Sequence, residues 1–465
     1  MIPRLAFRDP PCQSLIECAT NPHLGERHLQ PETAVVITLA VSGKSLIQQD
    51  DMPAMTYSIN LQDTSGGFMS DSSRVPSTLS FDELRPCSPF MGPQHDRWRI
   101  KVRSFVDSEI APHIDAWQQI GQCPDELYRS AAAAGILGMG FPEHLGGSGS
   151  GADLYQRIIV AEELHRLGTG VVFADLATHW ISLPAVVDCA DDELQETVTR
   201  PVLRGEKKIA FAVTEPSGGS DVANLQTRAE ADGDHFIVNG AKSMISGVLR
   251  ADYVLTAVRT GGAGMGGISL LLIDTRSPGV TRKAIPGMRW YNANNGILSL
   301  SNVRVPVSRL IGVENRGFAS LAGQFNVERL SGIAATLAMS RVCTAEAIAW
   351  ARQRTTFGKR LIDHQSIRHK LVEMVRQLHS AYAYLDHCVW RFGQGQTPVA
   401  DLAMLKVQAT STLESCARES LQVLGQQAYT GNNRIEHIYR ESRMFVIGGG
   451  AEEVLRDLAA KQLGF

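Results

Sequence analysis

Phe211-Ala212-Val213-Thr214-Glu215-Pro216-Ser217-Gly218-Gly219-Ser220-Asp221 is the stretch on which the reading of this chain turns. A run of strand formers meets a proline, two glycines and two serines. That pattern predicts a strand ending in a turn whose amides and hydroxyls could face an anion. Further on, His235-Phe236-Ile237-Val238-Asn239-Gly240-Ala241-Lys242 reads as a hairpin arm that turns at Asn239-Gly240. The chain then rises again through Ser243-Met244-Ile245-Ser246. A small β region with hydroxyls and amides at its rim is expected, and an ordinary hairpin with polar turns would look the same.

Working outward, Tyr253-Val254-Leu255-Thr256-Ala257-Val258 and Ile268-Ser269-Leu270-Leu271-Leu272-Ile273 are short, apolar and bounded by turn residues. Val303-Arg304-Val305-Pro306 closes the series. Strands this close together predict an antiparallel sheet or barrel over 209–316, because the connections are too short for crossover helices. On both sides the period becomes helical. Upstream, Trp98, Val102, Phe105 and Ile110 share a face until Ala111-Pro112. A second helix follows Pro124 and a third passes through Ile158-Ile159-Val160, giving a helical domain over 89–208. Downstream, Ile367, Leu371, Met374, Leu378, Tyr382 and Leu385 form a stripe, and helices are expected near 319–350, 366–392 and 400–424. The expected fold class is α+β: an N-terminal helical domain, a central antiparallel β domain and a C-terminal helical bundle over 317–465. Residues 1–88 match none of this and read as an extension: a small added domain, a largely disordered segment, or an overlong start, Met69 and Met91 both being possible initiators.

The 465 residues suffice for two or three domains with a sizeable core. A formal charge of -3 gives no reason to expect a nucleic-acid partner. Eight cysteines, at 12, 18, 87, 123, 189, 343, 388 and 416, include no Cys-x-x-Cys pair. They read as reduced thiols of a cytoplasmic protein, and no metal centre is expected. No apolar run reaches the length of a membrane span, and no cleavable leader pattern opens the chain.

Several short motifs, taken in order, resemble the acyl-CoA dehydrogenases over about Gln94 to Gly464. They are Pro142-Glu143-x-x-Gly146-Gly147-x-Gly149, Thr214-Glu215-Pro216 with Gly219-Ser220-Asp221, and Asn239-Gly240-x-Lys242. Arg304-Val305-Pro306, Arg354-x-x-Phe357-Gly358-Lys359 with Gln365, and Arg440-Glu441-Ser442-Arg443 complete the set. The resemblance implies helical, β and helical domains in a homotetramer or homodimer with one FAD per subunit. It further implies an acyl-CoA substrate and an electron-transfer flavoprotein as electron acceptor. Val213 and Thr214 would meet the flavin pyrimidine edge, Ser220 the pyrophosphate, Met244 the flank of the isoalloxazine, and Ser246 the N5 position. Arg354 and Phe357 would reach the FAD of a neighbouring subunit, and Gln422 would lie near it.

The chemistry implied is loss of an α-proton to a base while a hydride leaves Cβ for the flavin. The developing enolate oxygen needs oriented donors, one of them the backbone amide at Gly449. Most short- and medium-chain members carry the base in a terminal motif that here reads Ile447-Gly448-Gly449-Gly450-Ala451, so that position holds no carboxylate. The isovaleryl and long-chain types place a glutamate just before an arginine on the first long C-terminal helix. Asn326-Val327-Glu328-Arg329-Leu330 matches that register, making Glu328 the expected base and Arg329 a residue of the acyl-CoA side. A surface glutamate paired along its helix is the plain alternative, and Glu452 and Glu453 are rival carboxylates.

Three departures from the family pattern stand out. The Gly-Gly-x-Gly loop reads Gly425-Gln426-Gln427-Ala428, the terminal threonine is Ala451, and Asn432-Asn433-Arg434 replaces Glu-Tyr-Pro. They would suit an oxygen-using acyl-CoA oxidase or monooxygenase, or a flavin-binding relative with decayed chemistry. Trp290, in an asparagine-rich turn, is a further candidate on the substrate side.

Overall fold

An eight-stranded mixed sheet, flanked by helices from both ends of the sequence, organises the computed structural model. The structure describes residues 79–149, 153–189, 191–285, 294–430 and 433–465. The expectations placed on residues 1–78, on Asn432 and on Trp290 lie outside them. The chain divides at Arg74 and Val75, and everything below concerns the second unit, Val75–Phe465.

The N-terminal helices are α1 (Pro93–Phe105), α2 (Ile114–Ile120), α3 (Asp125–Ala133), α4 (Leu154–His165), α5 (Val171–Leu176), α6 (His179–Cys189) and the short α7 (Asp192–Leu194) and α8 (Arg200–Leu203). The strands are β1 (Ile209–Ala212), β2 (Arg228–Asp232), β3 (His235–Ile245), β4 (Tyr253–Arg259), β5 (Ile268–Asp274), β6 (Val280–Ala284), β7 (Gly296–Pro306) and β8 (Leu310–Ile311). The C-terminal helices are α9 (Gly317–Gln353), α10 (Gln365–Gly393), α11 (Val399–Leu424), α12 (Arg434–Ile447) and α13 (Glu452–Leu463). Between α9 and α10 the chain makes a small hairpin, β9 (Thr355–Thr356) and β10 (Lys359–Arg360).

The sheet runs β6-β7-β3-β2-β4-β5-β8, with β1 on the same edge of β4 as β2. Most neighbours are antiparallel as expected, but β1 and β4 pair in parallel, Ile209 opposite Tyr253, and β2 meets β4 in parallel at Arg228 opposite Arg259. No crossover helix is needed, because the β2–β3 hairpin fills the excursion between β1 and β4. The second correction concerns Asn239-Gly240, which lies inside β3 and not at its turn. The hairpin turns at Gly233-Asp234, since Asp232 faces His235.

Both faces of β4 are covered, which explains a strand buried at every residue. Tyr253, Leu255 and Ala257 point to the N-terminal helices, and Val254 and Val258 to the face shared with β3 and β7. Helix α9 is buried almost continuously from Leu330 to Thr344, as befits the central helix of a bundle. By length and hydropathy alone, Val171–Cys189 and Gly317–Gln353 could each cross a membrane, contrary to the sequence expectation. Their most apolar windows are 61% and 78% buried in the fold, so protein covers much of that surface.

The boundary expected at residue 88 cuts through a packed segment. Leu84 is fully buried among α9, α10 and α11 side chains. Arg85 bonds Glu162 at 2.9 Å, and the backbone of Phe81 accepts from Arg341 at 2.8 Å. Residues 79–88 therefore pack as part of the helical fold.

Candidate active site

Glu215 organises the rim of the sheet. Its buried carboxylate accepts from the Gln226 amide at 2.6 Å, the Thr227 amide at 2.8 Å, the Thr227 hydroxyl at 2.6 Å and Lys242 Nζ at 2.9 Å. Lys242 Nζ also donates to Val213 O at 3.0 Å, and the Ser243 amide donates to Thr214 O at 2.8 Å. Burial pushes Lys242 down to about 8 despite the attraction of Glu215. Burial would raise Glu215, but Thr227, Lys242 and the Gln226 amide outweigh it and hold the carboxyl low. The pair stays ionised and clamps the loop 214–227 to β3. Ser217, Gly218, Gly219 and Ser220 stay exposed beyond the clamp, and the first three line a cleft of about 330 Å³ together with Val213 and Gln226.

Strand β3 delivers Met244 to the same rim. Lys242 faces Leu298 and Ile245 faces Gly296, so β3 spends one residue more than β7 between these pairs. That bulge puts Met244 at φ +59° with 55% of its surface exposed, a costly backbone state for a residue with a side chain. Ser246 follows, half-buried.

A second group of residues gathers around α9. Glu328 keeps partial solvent access yet is closely ringed by protein, as at the floor of a recess. Burial pushes its carboxyl up to about 7, against the attraction of Arg329 and Lys406. Arg329 Nε donates to Gly449 O at 3.3 Å, bringing the α9 pair against the loop between α12 and α13. Lys406, buried on α11, holds that loop from the other side through Val446 O at 3.0 Å and Gly450 O at 2.9 Å. Gly449 has φ +69°, and a Cβ there would meet nothing within 4 Å. Among the described residues nothing accepts from its amide.

Arg354 and Phe357 stand apart from both groups. Arg354 caps α9, its amide bonded to Trp350 O and its carbonyl to the Leu361 amide. Phe357 sits at the tip of the β9–β10 hairpin at φ +50°, 96% exposed. Gln422 is exposed near the end of α11.

Models of the acyl-CoA dehydrogenase N-terminal, middle and C-terminal domains match residues 92–206, 210–303 and 315–464. The acyl-CoA dehydrogenase AFT10-1 of Alternaria alternata is 36% identical over 414 residues, covering 83% of this chain and 96% of that protein. The chain belongs to the acyl-CoA dehydrogenase family. A Mycobacterium smegmatis crystal structure, assigned as an acyl-CoA dehydrogenase candidate, superposes with a TM-score of 0.78 at 41% identity. It covers 81% of this chain and all of its own. CarC, a subunit of the caffeyl-CoA reductase-Etf complex of Acetobacterium woodii, is 27% identical over 369 residues, spanning 78% of this chain and 97% of its own.

Within this member of the family, one rival carboxylate is ion-paired and the other faces solvent. Glu452 pairs with Arg456 at 2.7 Å, and Glu453 is exposed. The sequence reading assigned no role to Glu215, Lys242 or Lys406. Glu215 and Lys242 stood within quoted motifs, and charges inside apolar stretches were the available signal. Lys406 carried the same signal, inside the apolar α11.

Proposed function

We propose that this chain is an FAD-dependent acyl-CoA dehydrogenase in which Glu328 removes the α-proton of an acyl-CoA thioester. The observation that carries the reading is a carboxyl poised near 7 by burial, beside the Gly449 loop. A base whose pKa lies near the working pH combines an ionised fraction with proton affinity. The Gly449 amide, free to donate, would stabilise the enolate oxygen. Arg329 and Lys406 fix that loop, so the donor need not reorganise as charge develops. Placement of the base on α9 supports the isovaleryl or long-chain type.

The rim fits FAD. Exposed small residues at 217–219 line a cleft with room for a pyrophosphate, Val213 lines it next to Thr214 in the chain, and the bulge leaves Met244 exposed as an apolar contact. Bound there, FAD would accept the hydride that leaves the substrate β-carbon. Val213, Thr214, Ser220, Met244 and Ser246 would hold it. The exposed Phe357 tip and Arg354 would complete the site of a neighbouring subunit in a homodimer or homotetramer, with Gln422 nearby. An electron-transfer flavoprotein as acceptor is supported by the Etf-associated relative. The free cysteines support a reducing compartment, the cytoplasm.

Anaerobic titration of purified protein with straight- and branched-chain acyl-CoAs tests the reading. Wild type should be yellow and bleach with one class, while Glu328→Gln should keep its flavin and lose bleaching by at least about 1,000-fold, more than general-base catalysis alone supplies in milder cases. Bleaching of the variant at the wild-type rate would sink the base assignment. A yellow wild type that no acyl-CoA bleaches would sink the activity.

A further inference from the structure

A buried arginine stands behind the wall of the cleft at the sheet rim. Arg259 ends β4 with 8% of its surface exposed, and its guanidinium donates to backbone carbonyls alone. Nε donates to Leu225 O at 3.1 Å and Nη2 to Ala223 O at 2.6 Å. Nη1 donates to Gly262 O at 2.5 Å and Gly264 O at 3.2 Å, in the hairpin between β4 and β5. The Arg259 amide adds a bond to Thr227 O at 2.8 Å. Among the described residues no carboxylate pairs with Arg259. Arg85, Arg99 and Arg341, by contrast, all approach Glu162. Carbonyls satisfy the donors of Arg259 but leave its charge uncancelled, and an enclosed charge without a counter-charge is costly.

The residues whose carbonyls it holds form the cleft wall. Val222, Asn224, Leu225 and Gln226 line the cleft, so the guanidinium lies one layer of backbone behind that surface. In a trans peptide the N–H points away from the C=O. Across from Leu225 O, the Gln226 N–H accordingly donates to Glu215 at 2.6 Å. Arg259, the 225–226 peptide, Glu215 and Lys242 thus form one continuous chain of hydrogen bonds along the wall. No lysine or arginine lines the cleft, whereas the carboxylates of Glu215 and Asp221 do. Lys242 is already answered by Glu215. A cation packed behind such a wall, with no carboxylate of its own, fits an anion arriving in front of it.

We propose that Arg259 is a positioning residue for the cofactor, fixing the cleft wall and lending its charge, through the 223–226 backbone, to the pyrophosphate half of FAD. The inference rests on the FAD reading above. Through a layer of protein a charge acts more strongly than through the same depth of water. A peptide whose carbonyl is held by a cation is polarised and presents its positive end to the other side. The flavin ring, placed against Met244 and Ser246, has no part in this arrangement. Arg259 therefore acts on one half of the cofactor and not on the other.

Titrating the full-length protein, stripped of flavin, with FAD and with riboflavin separates the two halves, since riboflavin carries the ring and no phosphate. Arg259→Met should weaken FAD binding about 10- to 100-fold, the worth of a charged hydrogen bond, and leave riboflavin binding unchanged. Arg259→Lys keeps the charge and loses the fork, so it should restore part of the FAD affinity. An Arg259→Met variant that loses both ligands by the same factor would make Arg259 a general support of the fold and overturn the proposal. Unchanged FAD affinity in that variant would overturn it too. Should Arg259→Met not fold, Arg259→Lys carries the test: a loss confined to FAD supports the proposal, and an equal loss, or none, overturns it. A wild type that binds neither ligand would overturn the FAD reading and this inference with it. Failure of the variants alone would leave the FAD reading standing.

Discussion

Glu328 shows how a helical carboxylate becomes a base candidate through its surroundings. Its ionised fraction should rise with pH through about 7, so the rate of flavin reduction should rise over the same range and level off above it. Lys406 opposes the upward push on Glu328. Replacing it with methionine removes a cation that favours the ionised carboxylate, so the midpoint should move to higher pH. Stopped-flow reduction across pH, for wild type and Lys406→Met, checks both, and an unmoved midpoint would show the coupling to be negligible. Glu328 was legible in sequence as a candidate through its register before Arg329 and the glycine at 449. Lys406 was not, because helical periodicity reports which face is apolar and not which distant loop a buried amine will hold.

At the scale of elements, β3 carries the sharpest disagreement between sequence and structure. Asn-Gly is a strong local turn signal, yet Gly240 sits mid-strand at φ +148°. A Cβ there would lie 2.6 Å from Thr227 Oγ1 and 2.7 Å from Thr227 Cα. The glycine serves the close approach of the loop that Glu215 clamps, a contact no dipeptide pattern contains. Gly240→Ala should cost about 1–3 kcal/mol of stability from strain and crowding, and should loosen flavin binding with it. Denaturant unfolding and flavin dissociation measure the two. The helices and strand positions were readable from period and breakers, whereas the parallel β1–β4 pair depends on partners about forty residues apart, beyond any local window.

For the molecule as a whole, a buried ionic network ties the segment before α1 to the helices. Burial would raise Glu162, but Arg85, Arg99 and Arg341 outweigh it and bring its carboxyl down to about 2, from an ordinary value of 4.5. A depressed carboxyl stabilises the fold above its unfolded pKa and loses that contribution as pH falls towards the folded one. Thermal stability should therefore decline as pH drops from about 4.5 towards 2. A flat melting profile across that window would contradict the network's importance. Removing residues 1–88 should destabilise the fold by about 3–5 kcal/mol relative to a chain beginning at Val75, since Arg85 and Leu84 go with it. Melting temperatures of the two truncations make the comparison. The network also bears on how a gene encoding this chain is translated. Initiation at the internal Met69 would retain Phe81, Asp82, Leu84 and Arg85, whereas initiation at Met91 would omit all four and leave Arg341 and Glu162 without their N-terminal partners.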